Sequence, residues 1–552
     1  MSIFLLNNHL LDFKIFKSKN ILIDNLNCGV YNQNINLGEN MDNNNINQMS
    51  EFDIKVEKVK KLESMGEKAY KAKFEKTHEI HDLEKYELGT KVSIAGRMIF
   101  KRTFGKLIFA RLYAIGDNHD IDATKPLRTS VQISLNFNIV GAEALAKFKE
   151  FCDIGDFVGV HGELIRTQTG ELTVQVESFE LLSKALRGLP EKFHGLVDME
   201  SRYRQRYLDI ISNEQSRQVF ITRSKAVSFV RNYLEKNGFF EVETPVLQVN
   251  VSGASAKPFF THHNALDLDC NLRIATETWL KMVNCAGFDK VFELGKDFRN
   301  EGMDPTHLQE FTQVEWYASY WDFEDNVKFF KQFIKELMLN VLGTTKITVA
   351  GNELEFDGEW ERINYVEKMR ELLGFDFLAI EDPEVLRAKI VSSKKLTATD
   401  LEGYKSCRAI IDFAYKKLIR QNIVGPTILY NYPAFLKTLA RRNDNDNRIT
   451  DVFQVVVNGA EILNAYSELV NPLEQRKALE DQLKDKAKGD DETMDLDEDF
   501  LLAMEHGMPP MSGLGFGIDR FIMMIYDLPN IRDTILFPMT KPVDNNITTE
   551  KE

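Results

Sequence analysis

The sequence predicts an α+β protein in two unequal parts. A small five-stranded β-barrel comes first, and a larger domain with an antiparallel sheet flanked by helices follows. Three observations carry this reading. Between residues 89 and 185, apolar residues alternate in short runs, the period of half-buried strands. Beyond residue 213 helical and strand patterns mix without the strict alternation that a parallel sheet requires. The chain has 552 residues, enough for both parts at roughly 100–200 residues per domain.

Residues 1–50 are Asn-rich, ending in "NQNINLGENMDNNNINQMS", and have too little apolar surface to order themselves; Met41 and Met49 are alternative starts. Residues 51–88 hold a charged helix, expected over 51–76, with Val56, Val59 and Leu62 as its thin apolar stripe. The runs "KVSIAGRMIF", "KLIFARLYAI", "TSVQISLNF", "DFVGVHGELIRT" and "ELTVQVESFELL" are the five strands of 89–185. "GAEALAKFKEF" supplies a helix between the third and fourth, which is the order of an OB-fold barrel. Such barrels bind oligonucleotides on one face, with aromatic side chains stacking on bases. Arg102, Phe109 and Gln132 are the candidates for that face, although Phe109 alone also reads as a core residue.

A basic linker covers 186–213 and carries Arg187, Lys192, Arg202, Arg204 and Arg206. The larger domain spans 214–540, and 541–552 is read as a flexible tail. It opens on a helix, "SRQVFITRSKAVSFVRNYLEKNG". Phe220, Val227, Val230 and Leu234 share one face of it and Gly238 suits the C-terminal cap. "FFEVETPVL" follows as a strand that Pro245 interrupts, a mark of an edge or interface strand.

Composition narrows the function classes. Five cysteines, with no Cys-x-x-Cys spacing, argue against a disulfide framework or zinc site and for a reducing, cytoplasmic setting. No run of about 18 uncharged apolar residues occurs, against a membrane span. The N-terminus lacks a long apolar core and a small-residue cleavage site, against a secretory signal. A net charge of −15 disfavours nucleic acid on average, but the linker shows that basic residues cluster locally.

Three stretches carry chemistry. "FRNEGMDPTHLQEFTQVEWY", residues 298–317, sets Arg299 and Glu301 two apart, on one face if the strand continues. An Arg so held offers a rigid fork for phosphate or carboxylate. "NGAEILNAYSELV" places Asn464, Tyr466 and Glu468 at period two in an apolar run, with Glu461 upstream. "GLGFGIDR" alternates Gly513, Gly515 and Gly517 with apolar residues and ends on Asp519-Arg520. It is not a dinucleotide fingerprint, because the third glycine comes one residue too early and too little chain follows. His262 and His263 suggest a metal by type, but no third ligand stands at helical spacing.

Helix, strand and Pro245, then "FRNE", then "GLGFGIDR" resemble, in order, the three motifs of class II aminoacyl-tRNA synthetases. An N-terminal OB-fold places the resemblance in the branch charging aspartate, asparagine or lysine. "RYRQRYLD", "VSGASAKPFFTHHNALDLD", "LARRND", "NAYSEL" and "GDDETM" look like the lysyl-tRNA synthetases. The match covers about residues 51–540.

The resemblance implies a class II catalytic domain that charges tRNA(Lys) with L-lysine through lysyl-adenylate, as a homodimer. Arg299 would hold the α-phosphate and the amino acid carboxylate, and Arg520 the γ-phosphate. Phe311 would stack on adenine, Glu301 read its amino group, and His307 lie near the phosphates, with Glu461 and Gly517 completing the ATP site. Glu277 and the Gly253 carbonyl would take the α-amine; Glu468 and Tyr317 the ε-amine, assisted by Glu315, with Asn464 and Tyr466 lining the pocket. Three carboxylates suit an ammonium group, whereas an aspartate site needs a cation. Arg102, Phe109 and Gln132 would contact the anticodon. Mg2+ is the implied cofactor, yet the family's two glutamate ligands, seven residues apart, are here Gln454 and Glu461. Leu308-Gln309 replaces the usual Asn-Pro, and Lys437-Thr438 the usual Ser-Pro. An aspartate- or asparagine-charging relative and a non-charging paralogue that binds lysine or nucleotide are the alternatives.

Overall fold

A computed structural model describes residues 49–117, 121–190, 196–254, 256–486 and 496–542. Almost all of 1–50, the "GDDETM" stretch and most of the 541–552 tail lie outside the described residues.

Helix α1, Glu51–Ser64, is capped by the Ser50 hydroxyl, which accepts from the Asp53 amide. It stops twelve residues before the expected end at 76, because Gly66 turns the chain at φ +76°, a left-handed conformation that suits glycine. Strands β1 (Lys91–Phe104), β2 (Leu107–Tyr113), β3 (Ser130–Asn136), β4 (Phe157–Arg166) and β5 (Leu172–Ser183) close a barrel in the order β1-β2-β3-β5-β4. Helix α2, Phe137–Phe151, lies between β3 and β4, as the OB-fold order requires. Inward residues such as Ile94, Ile108, Ile133, Val160 and Val174 fill the barrel, and Leu62 of α1 joins that core.

Two short helices, α3 (Met199–Arg204) and α4 (Arg206–Ser212), lead into the second domain. Arg202 and Arg206 of the basic linker are paired rather than open, while Arg187 is exposed. Arg206 is buried against Asp209 at 2.8 Å, and Arg202 Nε donates to the same carboxylate at 2.9 Å. Helix α5, Glu214–Lys236, buries Val219, Thr222, Ala226, Val230 and Tyr233. The buried stripe is thus offset from the expected one: Val230 and Leu234 lie in it, Val227 only flanks it, and Phe220 faces the Arg206 guanidinium.

The chain continues through β6 (Phe240–Glu241), β7 (Leu247–Gln248), β8 (Phe260–His263), β9 (Leu268–Leu272), α6 (Glu277–Cys285), β10 (Lys290–Phe298), β11 (Glu310–Ser319) and α7 (Phe323–Leu342). A hairpin β12 (Lys346–Val349) and β13 (Asn352–Glu355) precedes β14 (Glu361–Asn364) and helices α8 (Tyr365–Leu373), α9 (Pro383–Ser392) and α10 (Cys407–Leu418). Then come β15 (Thr427–Pro433), β16 (Ile449–Val457), β17 (Ala460–Ser467), α11 (Pro472–Lys486), α12 (Glu498–Glu505), β18 (Met511–Gly517) and α13 (Ile518–Ile525).

Eight strands form one sheet in the order β14-β15-β16-β17-β18-β11-β10-β6. Pairing is antiparallel except at the two edges, where β14 runs parallel to β15 and β6 to β10. One face packs on α5, α7 and α13 through Trp316, Phe330, Phe333, Phe516 and Phe521. Helix α7 is set by a capping box between Asp322 and Asp325 and ends at Gly343, φ +73°. The opposite face of the central strands is left for polar residues.

Candidate active site

Period two puts Gln313, Glu315 and Tyr317 of β11 on one face of the sheet. Their register partners on β18 are Gly517, Gly515 and Gly513, and across β18 stand Asn464 and Tyr466 of β17. The alternating glycines therefore form a trough between two polar walls, and a cavity of about 400 Å3 opens above it. Gly513 has the tightest need for its missing side chain. A methyl group there would lie 2.2 Å from the Tyr317 ring and 2.5 Å from Glu468 Oε1. At Gly517 a methyl group would meet only the Arg520 side chain, at an ordinary contact distance of 3.8 Å.

One end of the cavity is acidic. Glu277 begins α6, 7% exposed, and Tyr466 donates its hydroxyl to Glu277 Oε1 at 2.5 Å. Gly253, at φ +85°, sits beside it, where a β-carbon would approach Ala275 Cβ to 3.0 Å. Glu315 accepts from Gln313 Nε2 at 2.6 Å and from the Tyr317 hydroxyl at 3.2 Å. Burial, reinforced by the Asp297 and Glu277 charges, pushes the Glu315 carboxyl up to about 8. Below it, burial raises Asp297 to about 6 against the pull of Arg273, which also pairs with Glu293 at 2.5 Å.

Glu468 lies just past β17, 1% exposed, behind the cavity wall rather than on it. Its partner is Lys281, whose ammonium sits 2.5 Å from Glu468 and 2.6 Å from Glu277. Lys281 is fully buried, and although burial lowers it most, the two glutamates more than offset that and raise it overall. It was not among the sequence candidates. Its signal was present: Glu277 and Lys281 are four apart on a helix, on one face.

The other end is basic. Strand β10 ends at Phe298, so Arg299 and Glu301 stand in the following loop, not in a strand as expected. The Arg299 amide still donates to the Gln309 carbonyl at 2.8 Å, which keeps both residues on the cavity. The Arg299 guanidinium donates twice to the Ile274 carbonyl at 3.3 Å and lies 5.0 Å from the Phe311 ring centre. Gln309, a departure from the family pattern, donates its side-chain amide to the Glu301 and Gly302 carbonyls and so ties the loop. His307 accepts an Arg520 guanidinium hydrogen at 3.3 Å through Nε2 and pairs with Asp304 at 2.7 Å through Nδ1. Arg520 also donates to the Glu461 carbonyl at 3.1 Å. Asp519 is structural: buried, it accepts from the Thr312 amide at 2.6 Å and pairs with Arg223 of α5, binding all three sequence motifs together.

The expected metal pair gives a different picture. Gln454 Oε1 accepts from the Tyr432 hydroxyl at 2.6 Å, and its Nε2 donates to Asn464 Oδ1 at 3.2 Å. Half-buried Lys437 donates to the same Asn464 oxygen at 2.7 Å and lies 5.3 Å from the Tyr432 ring centre. Both amide oxygens are thus already engaged, and a cation stands beside them. Among the described residues no cluster of three or more His, Cys, Asp or Glu could hold a metal ion. The donor set does not fit a divalent ion gripped by Gln454 and Glu461. His262 pairs with Asp269 at 2.8 Å on the exposed β8–β9 hairpin, away from this site.

On the barrel, Arg102 is the register partner of Phe109, and Gln132 that of Arg111, which lies two residues from Phe109 on the same face. Phe109 is half-buried and Arg102 exposed, and Gln132 donates to Thr173 at 3.0 Å. The three expected residues thus share one face.

Residues 198–541 match the family model described as "tRNA synthetases class II (D, K and N)". The chain belongs to the class II tRNA synthetases of that group. Within it, the chain is 42% identical over 452 residues to the lysine–tRNA ligase of Aquifex aeolicus, covering 82% of this chain and 73% of that one. It is 40% identical over 494 residues to that of Carboxydothermus hydrogenoformans, covering 89% and 98%. The lysine–tRNA ligase of Enterococcus faecalis is 40% identical over 498 residues, covering 88% and 96%.

Proposed function

We propose that this protein activates L-lysine with ATP and transfers it to tRNA(Lys). One observation carries the reading: a carboxylate-lined pocket built around Glu277 and Glu315 adjoins a basic end built around Arg299 and Arg520 in a single cavity. Relatives at about 40% identity over most of the chain are lysine–tRNA ligases, which supports it.

In the first step a lysine carboxylate oxygen attacks the α-phosphorus of ATP in line. The new O–P bond forms as the bond to the bridging oxygen breaks, and pyrophosphate leaves. Arg299 holds the carboxylate and α-phosphate together and Phe311 stacks on adenine beside Glu301. His307 and Arg520 meet the outer phosphates, with Glu461 and Gly517 on the floor. In the second step a ribose hydroxyl of the terminal adenosine of tRNA attacks the carbonyl carbon and AMP departs. Positioning and charge stabilisation supply the catalysis, with no protein nucleophile. Mg2+ enters as the counter-ion of the nucleotide, that is, with the substrate.

The α-amine faces Glu277 and the Gly253 carbonyl. The ε-amine runs towards Tyr317 and Glu315, between the Tyr466 and Asn464 walls, where Glu468 and Lys281 set the local charge. Anticodon contact falls to Arg102, Phe109 and Gln132. Phe240, Leu247, Val249 and Phe260, in the segment that follows α5, are exposed and support a homodimer. A cytoplasmic setting goes with that reading, and the free state of the described cysteines is in keeping with it. Aminoacylation of a tRNA(Lys) transcript tests the reading directly; binding of lysine and ATP without charging would contradict it.

A further inference from the structure

Two departures from the family pattern, remote in sequence, meet at one atom. Lys437, where Ser is usual, and Gln454, where Glu is usual, both donate to Asn464 Oδ1, at 2.7 and 3.2 Å. The glutamine removes one negative charge and the lysine adds one positive charge. Together they shift the local charge by +2, which is the charge of one divalent cation. The ammonium is held as an ion would be. The Asn464 oxygen accepts from it and the Tyr432 ring centre lies 5.3 Å away. Burial draws its pKa below the ordinary lysine value, and the Glu461 and Asp412 charges work against that, with Arg408 on the side of burial. Gln454, its oxygen tied to Tyr432, is oriented to share Asn464 rather than to ligate.

We infer that the Lys437 ammonium takes the place of a divalent ion that related enzymes hold between paired glutamates, so the site carries its own fixed cation. Lys437 lines the same cavity as Glu461, Arg299 and Arg520. It would meet the charge developing on the α-phosphate as a built-in donor, with no ion to recruit. The inference rests on lysine activation at this site.

The test has two arms. In the first, ATP–pyrophosphate exchange with lysine is measured at fixed Mg-ATP while free Mg2+ is raised. The wild type is expected to stay flat, whereas Lys437→Ser/Gln454→Glu acquires a saturable requirement for free Mg2+. Lys437→Met, with its fold checked by thermal melting, loses exchange by about 100-fold, as for removal of one preorganised charge-stabilising donor. In the second arm, Mn2+ bound per site is counted by electron paramagnetic resonance with a non-hydrolysable ATP analogue. The double variant should bind one more Mn2+ than the wild type. A saturable free-Mg2+ requirement in the wild type, or equal Mn2+ counts, would overturn the inference. Exchange that is absent from the wild type at every Mg2+ level would instead refute lysine activation itself.

Discussion

Replacing Glu468 by Gln is the most informative single change in the acidic pocket. Glu468 is buried and its partner, Lys281, is shared with Glu277 at 2.6 Å. Removing one partner of a buried ion pair costs about 3–5 kcal/mol. The lower end applies here, because Lys281 keeps its contact with Glu277. Glu277 is then drawn towards Lys281 and away from the substrate ammonium. If about 3 kcal/mol falls on lysine binding, affinity drops about 100-fold at 1.4 kcal/mol per tenfold. ATP contacts Arg299, Phe311 and Arg520 in the proposed site, at the other end of the cavity. Well-separated sites perturb each other by about 0.5 kcal/mol or less, so ATP affinity should change less than about threefold. Isothermal titration with each ligand separately reads both numbers. Equal losses for lysine and ATP, with the variant still folded, would refute the assignment of Glu468 to the lysine end.

Four further outcomes are expected. Burial raises Glu315 to about 8, so it is mostly protonated at neutral pH before lysine binds; binding an ammonium favours its ionised form, and lysine affinity should rise from pH 6 to 8 with proton release, by up to about tenfold per pH unit. A carboxyl raised above its unfolded value of 4.5 costs stability as the pH climbs between the two values, so the melting temperature of the empty protein should fall over about pH 4.5–8, less so in Glu315→Gln. Gly513→Ala must push Tyr317 and Glu468 aside, costing about 1–3 kcal/mol of stability and weakening lysine more than ATP, which paired melting and titration will read. Phe109→Ala should raise the KM for tRNA by about 5- to 150-fold, for one lost base stack, and leave lysine-dependent exchange unchanged.

The fold was largely legible because the barrel strands alternate at period two and the motifs mark the central sheet. Misreadings came where one residue cut a pattern short. Gly66 ended α1 while the charged pattern ran on. Strand β10 stopped at Phe298, so Arg299 and Glu301 reach the cavity from a loop closed by Gln309, not by strand periodicity. The face of α5 was offset because Thr222 and Tyr233, not apolar in the simple sense, are buried on it. The acidic residues were readable one by one, but Lys281 was not, since a helical Glu–Lys pair normally reads as a solvated surface pair. The meeting of Lys437 with Gln454 at Asn464 is a fact of three-dimensional register between β16, β17 and the β15–β16 connection. Spacing along the chain holds no trace of it.

The most direct measurement is ATP–pyrophosphate exchange with each amino acid in turn. Lysine should drive it far above the rest, with ornithine, one methylene shorter and worth only about 1–3 kcal/mol of discrimination, the foremost error. Exchange driven by aspartate or asparagine but not by lysine would contradict the acidic pocket as the seat of an ammonium substrate.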